Sequence, residues 1–177
     1  RDWSSDVCSS DLNNTAVGAQ ALAALTDVVG TNYNTAIGTN ALKSLTTGNT
    51  NTAIGSDSMN ALTTGFSNVG VGAGSLNALT TGDSNVALGN SALENTNASD
   101  NIAIGKWAGE NNLAGIRNVA IGPEALRSGA TGSSNMAIGY KALFNNTADE
   151  NLAIGVFALN ANTSGIQNTG VGFNALD

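Results

Sequence analysis

Hydrophobic and polar positions recur along this chain with a period close to 17 residues. Each unit opens on Asn, at Asn14, Asn34, Asn51, Asn68, Asn85, Asn101, Asn118, Asn135, Asn151 and Asn168. The spacings are 20, 17, 17, 17, 16, 17, 17, 16 and 17 residues. Numbering each unit from its Asn, position 4 is aliphatic throughout, as in Val17, Ile37, Leu88 and Ile154. Position 3 is always Ala or Gly, and position 2 is β-branched or apolar, as in Thr35, Val69, Ile102, Met136 and Leu152. Large–small–large is the alternation of a short strand, so positions 2 and 4 share one face and position 3 takes the other, where a second wall must come close. A period this short excludes a string of independent domains and predicts a stack of coils, a rod or display surface rather than an enzyme.

The remainder of the unit carries its own signals. Position 5 is Gly in every repeat, which predicts a positive φ or a corner too tight for Cβ. The Asn at position 1 has two readings: a ladder of identical side chains bonded from coil to coil, or a set of independent Asx-turns. A small–large pair fills positions 8 and 9 (Ala41-Leu42, Ser58-Met59, Ser75-Leu76), often followed three residues later by Leu45, Leu62 or Leu79. That spacing fits one helical turn or a bent second strand, and the segment is too short for a stable isolated helix. Thr-Thr-Gly closes the coil at Thr46–Gly48, Thr63–Gly65 and Thr80–Gly82. The two 16-residue repeats close instead through 95–100 and 145–150, which lack this Gly. The fold class expected is all-β, with room for short helical turns: a parallel β-roll or β-solenoid of about ten coils.

Magnitudes require the stacking. Burying one Ile and one or two Leu per unit yields about 1.5–3 kcal/mol each. Ordering the unit costs about 1–2 kcal/mol per residue in backbone entropy. One repeat cannot fold alone, and ten coils at the strand spacing predict a rod of roughly 45–50 Å.

Composition supports a thin stack. Charged residues make up 11% and aromatics 5% of 177 residues, with one proline and no histidine. Residues 1–12 fall outside the repeat. Asp2–Leu12 (DWSSDVCSSDL) matches the codon-by-codon translation of a common sequencing-adapter oligonucleotide, so this segment is read as non-native, attached to a chain from an environmental assembly. It holds Cys8, the chain's one cysteine, and Trp3. The repeat domain, 13–177, is then cysteine-free, with no disulfide scaffold, and is expected to be truncated at both ends. Net charge is −7, or five basic against ten acidic residues once 1–12 is set aside. No basic cluster marks a nucleic-acid footprint, and aliphatic runs of four or five residues cannot insert in a membrane.

Catalytic chemistry finds no constellation here. The absence of histidine removes imidazole triads and imidazole metal sites, and without Cys8 there is no thiol chemistry. No catalytic residue, cofactor or metal is expected. Carboxylates such as Asp57, Asp83, Glu94 and Glu124 are scattered through variable positions and read as solvated loop charges. Val69–Gly74 is glycine-rich in phase with the repeat, so it reads as a strand and its corner rather than a phosphate loop. Sequons at Asn13, Asn97, Asn145 and Asn162 are what an Asn/Thr-rich chain produces by chance. Trp107 has two readings. It fills the volume left where Gly109 replaces the usual Leu at position 9, or it is an exposed stacking platform for sugar together with Tyr140 and Phe157. The Thr corners raise an ice-binding reading, weakened by the interruptions at Asn97, Leu113 and Ala130.

At Asn34-Thr35-Ala36-Ile37-Gly38 and its copies, over residues 14–177, the chain resembles the head repeats of trimeric autotransporter adhesins, with a Ser/Asn-Val-Ala-Ile-Gly strand motif. It also resembles repeats of phage tail fibres. The resemblance implies a left-handed β-roll assembled as a homotrimer on the outer surface of a bacterium. The expected function is non-enzymatic adhesion, with a surface glycan or matrix ligand as partner. The alternative is the shaft of a virion tail fibre. The 17-residue period and the Ala-Leu segment depart from the shorter adhesin-head coil.

Overall fold

The computed structural model describes residues 13–25, 33–129 and 131–177. The foreign-looking segment 1–12, the stretch 26–32 that lengthens the first spacing, and Ala130 lie outside the described residues. Each repeat contributes one three-residue strand: β1 Thr15–Val17, β2 Thr35–Ile37, β3 Thr52–Ile54, β4 Val69–Val71, β5 Val86–Leu88, β6 Ile102–Ile104, β7 Val119–Ile121, β8 Met136–Ile138, β9 Leu152–Ile154 and β10 Thr169–Val171. They pair in sequence order into a single ten-stranded sheet. Every pairing is parallel and like sits on like, as Thr35 on Thr52, Ala36 on Ala53 and Ile37 on Ile54. The chain is a parallel β-solenoid with one coil per repeat.

The second wall is neither a helical turn nor a strand. Ala41 N–H donates to Gly38 O, Lys43 N–H to Asn40 O and Leu45 N–H to Leu42 O, each closing a tight turn within the coil. The intervening amides reach the next coil: Leu42 N–H donates to Ser58 O, Ser44 N–H to Asn60 O and Thr46 N–H to Thr63 O. Positions 7 and 9 are left-handed, as at Asn40 (φ 59°), Leu42 (φ 49°), Asp57 (φ 58°) and Met59 (φ 50°). A left-handed residue at every second position interrupts a right-handed turn and swings alternate amides along the rod axis. The short helical turns allowed by the Ala-Leu spacing are therefore absent from the described residues.

The core lies between the two walls and is narrow. Ala36, Ala53, Ala87 and Ala103 at position 3 are fully buried, as are Leu42, Met59 and Leu76 at position 9 and Leu45, Leu62 and Leu79 at position 12. A Cβ on Gly70 would stand 2.8 Å from Ser58 Oγ and 3.0 Å from Ser75 Oγ, which places position 8 directly across from position 3. At Gly70 the strand meets Ser58 and Ser75 across the core; the two hydroxyls bond each other at 2.9 Å, and Ser58 Oγ–H donates to Gly70 O at 3.1 Å. The expectation that the position-4 Ile fills the core is overturned. Ile37, Ile54, Ile104 and Ile154 keep 37–38% of their surface exposed. Walls this close admit only a methyl group from the strand, so the large residues of the alternation point outward.

Asn at position 1 forms the ladder, and independent Asx-turns are excluded. Asn51 N–H and Asn51 Nδ2 both donate to Asn34 Oδ1, at 3.0 and 3.1 Å, while Asn51 Nδ2 also donates to Gly65 O at 2.8 Å. The pattern repeats at Asn68, Asn85 and Asn135. The 16-residue repeats keep the same bond through a different residue, with Asn85 Nδ2 donating to Ala98 O and Asn135 Nδ2 to Ala148 O, each at 2.8 Å. From the fifth coil onward position 12 loses its Leu, becoming polar at Thr96, Asn112, Asn146 and Asn162 and Gly at Gly129. Asn112 replaces packing with a corner clamp: its Nδ2 donates to Gly115 O at 2.9 Å and its Oδ1 accepts from Gly115 N–H at 3.1 Å.

Candidate binding surfaces

Two exterior surfaces depart from the Asn, Thr, Ser and Ala that cover most of the rod. The first is the outward face of the sheet. Positions 2 and 4 of ten in-register strands form two parallel columns, aliphatic at every position 4. A sheet with one face in water normally alternates apolar-in and polar-out. Here the order is reversed in size, with methyls inside and Ile, Val and Leu outside. A contiguous exposed apolar strip marks a candidate interaction surface.

The second surface is built by positions 6, 7 and 10 of coils six to nine. Lys106 Nζ stands 3.6 Å and Arg127 Cζ 4.6 Å from the Trp107 ring centroid. Arg127 Nε donates to Glu110 in a short contact and Nη1 donates to Glu124 Oε2 at 3.1 Å. Lys141 Nζ lies 3.7 Å from the same Glu124 oxygen, 5.3 Å from the Tyr140 ring centroid and 5.1 Å from that of Phe144. Tyr140 meets Phe157 edge to face with centroids 5.3 Å apart. The Glu110 carboxylate, opposed by burial and reinforced by Glu124, holds Arg127 above its usual range. Neighbouring coils thus join one continuous cluster from Trp107 to Phe157.

The structure does not support the volume-filling reading of Trp107. The space beside Gly109 is taken by Leu93, whose Cδ2 would lie 2.8 Å from an added Cβ. The indole is half-buried on the outer wall under two cations. Tyr140 and Phe157 are brought together, and Trp107 joins them only through Arg127, Glu124 and Lys141. Glu124, expected as a solvated loop charge, is instead bound by Arg127 and Lys141; Arg127, Lys141 and Phe144 were not singled out from the sequence. The available signal was charge complementarity one coil apart, Glu110 against Arg127 and Glu124 against Lys141, which a 17-residue period places side by side.

The same columns in earlier coils carry no aromatic residue and hold small, polar or charged groups. Asn40 Nδ2 and Ser56 Oγ donate to the two Asp57 oxygens at 2.8 and 2.9 Å and hold this carboxyl below the usual carboxylate range. A depressed folded value contributes stability above the unfolded pKa of about 4, lost as pH falls through the folded value. Melting followed from pH 5 down to about pH 2 is expected to fall less steeply for Asp57→Asn than for the parent chain.

At the Thr corners, Thr46 Oγ1 donates to Thr63 O and Thr63 Oγ1 to Thr80 O, each at 3.0 Å, and Thr147 Oγ1 to Thr163 O at 2.7 Å. These hydroxyls tie coils together, which weighs against a flat ice-ordering array.

Comparison with known protein families, characterised proteins and solved structures finds no match to this chain. Among the described residues, no helix is long and apolar enough to cross a membrane.

Proposed function

We propose that this chain is a non-enzymatic extracellular rod that assembles as a homotrimer through the outward face of its sheet and serves as the head of a cell-surface adhesin. The observation that carries the reading is the unbroken aliphatic column at position 4, half-exposed on a coil whose own core is already closed by Ala, Leu and the Asn ladder. Within one chain the position-4 Ile stack on their copies in neighbouring coils, yet Ile37, Ile54, Ile104 and Ile154 each stay more than a third exposed. Packed against further copies around a common axis, they become the core of the assembly, and in-register strands make the interface continuous along the rod. The number three, the left hand of the coil and the bacterial surface come from the resemblance of the Asn-Thr-Ala-Ile-Gly motif to adhesin head repeats. The aromatic and charged groups at positions 6, 7 and 10 lie on the opposite wall of the coil and stay available for contact with a surface.

Light scattering tests the assembly. A concentration-independent mass three times that of the chain is expected. Ile104→Glu combined with Ile121→Glu places charges on the outward columns without touching the core, so monomers with intact β-sheet circular dichroism are expected. A parent chain that remains a stable monomer at micromolar concentration overturns the proposal.

A further inference from the structure

We propose that positions 6, 7 and 10 of coils six to ten form a binding strip for an extended, uncharged β-linked polysaccharide lying along the rod; this deepens the adhesive reading by naming a ligand class and its site. Of the chain's two Trp, two Tyr and four Phe, five occupy these columns: Trp107, Tyr140, Phe144, Phe157 and Phe173. In coils one to five the same columns hold Thr39, Asn40, Ser56, Asp57 and Asn60 and no aromatic residue. Those coils stack in the same parallel register, so the fold does not require the rings. Ion pairs at a protein surface add little to stability, so stability alone does not account for so concentrated a cluster.

The chemistry of the strip matches a sugar chain. Pyranose rings present C–H faces that stack on aromatic rings and an equatorial rim of hydroxyls that needs both donors and acceptors. Glu110, Glu124 and Lys141 supply these between the rings. A polyanion is disfavoured, because Arg127 is already paired with two carboxylates, Lys141 contacts one of them, and the chain as a whole carries a net charge of −7. Geometry favours a polymer. Successive coils rise about 4.8 Å, close to the length of one pyranose unit in an extended β-linked chain, and the strip from coil six to coil ten runs for roughly 20 Å.

Co-sedimentation of the whole chain with amorphous cellulose and with chitin tests this proposal, with polygalacturonate in an affinity gel as the anionic comparison. Binding to a neutral polymer that persists in ~0.5 M salt is expected. Trp107→Ser and Tyr140→Asn install what Ser91 and Asn90 hold in the same columns of coil five, so folding is retained. Each is expected to weaken binding about tenfold, in line with the loss of one stacked ring. Phe66→Ala, an exposed aromatic off the strip, is expected to bind like the parent. If Trp107→Ser lowers the melting temperature, Tyr140→Asn alone decides. No binding to either neutral polymer, binding confined to polygalacturonate and lost in salt, or equal loss in Phe66→Ala overturns the proposal. Light scattering on the same samples keeps the trimer question separate: the Ile104→Glu, Ile121→Glu variant retains the strip and is expected to retain single-site binding.

Discussion

Gly105→Ala is expected to lower the melting temperature by about 10 °C or more and to split unfolding into two steps, read by circular dichroism and calorimetry. Two penalties act at this residue. Its φ of +131° is a conformation that L side chains rarely adopt, and an added Cβ would stand 2.7 Å from the backbone carbon of Gly122 in the next coil. Strain of about 1–3 kcal/mol and overpacking of about 1–3 kcal/mol therefore coincide. Neither relaxes easily, because the clashing atom is backbone held in a parallel ladder. A central defect also uncouples the coils on either side, since each coil contacts only its neighbours. Gly109→Ala is the contrast. There φ is +59°, close to the value that Leu adopts at position 9 of other coils, and the nearest atom is the Cδ2 of Leu93, which can rotate. Little change in melting is expected for that variant. Equal losses in the two would sink this account.

Asn68→Ala is expected to cost roughly 3–5 kcal/mol, measurable as a drop in the urea midpoint. Asn68 is fully buried. Its Oδ1 accepts from Asn85 N–H at 3.0 Å and Asn85 Nδ2 at 3.1 Å, and its Nδ2 donates to Gly82 O at 2.9 Å and Asn51 Oδ1 at 3.1 Å. Truncation leaves several buried groups unpaired, each worth about 1–3 kcal/mol, with little space for a replacement water. Asn68→Asp separates hydrogen bonding from volume. An ionised carboxylate keeps the shape but faces two acceptors, Gly82 O and Asn51 Oδ1. Its folded pKa is raised, so the variant is expected to gain stability relative to neutral pH as pH falls through that raised value, when a proton supplies one donor. A loss under 1 kcal/mol for Asn68→Ala would mean that the ladder is incidental to stability.

Much of this architecture is legible in one dimension because a solenoid repeats its environment. Any group that must meet its own copy in the next coil, such as Asn34 on Asn51 or Gly105 beside Gly122, cannot vary, so the constraint appears as periodic identity. The alternate corners at Ala98 and Ala148 were readable for the same reason, as a one-residue deletion coupled to altered turn chemistry. The left-handed backbone at Leu42 and Met59 was not. Nothing in a Leu residue announces positive φ, and only the demand that alternate amides point along the axis imposes it. The period makes the pairs Glu110–Arg127 and Glu124–Lys141 readable, but their union with Trp107, Tyr140 and Phe157 was hidden, because it depends on which positions of different coils share a wall.

The sequence by itself determined the period, the strand at positions 2 to 4, the Gly corner and an Asn at every position 1, while the structure decided that this Asn threads the coils together. Only the tertiary structure decided which side of the strand is inside. Alternation with a period of two defines two faces and does not say which one meets the core. Hydrophobicity alone points Ile37, Ile54 and Ile104 inward. The closeness of the opposite wall, already filled by Leu42, Leu45 and the Ser or Ala at position 8, leaves room only for the methyl of Ala at position 3. The aliphatic residues are displaced to the surface, and a chain whose own core is complete is left with an exposed apolar face.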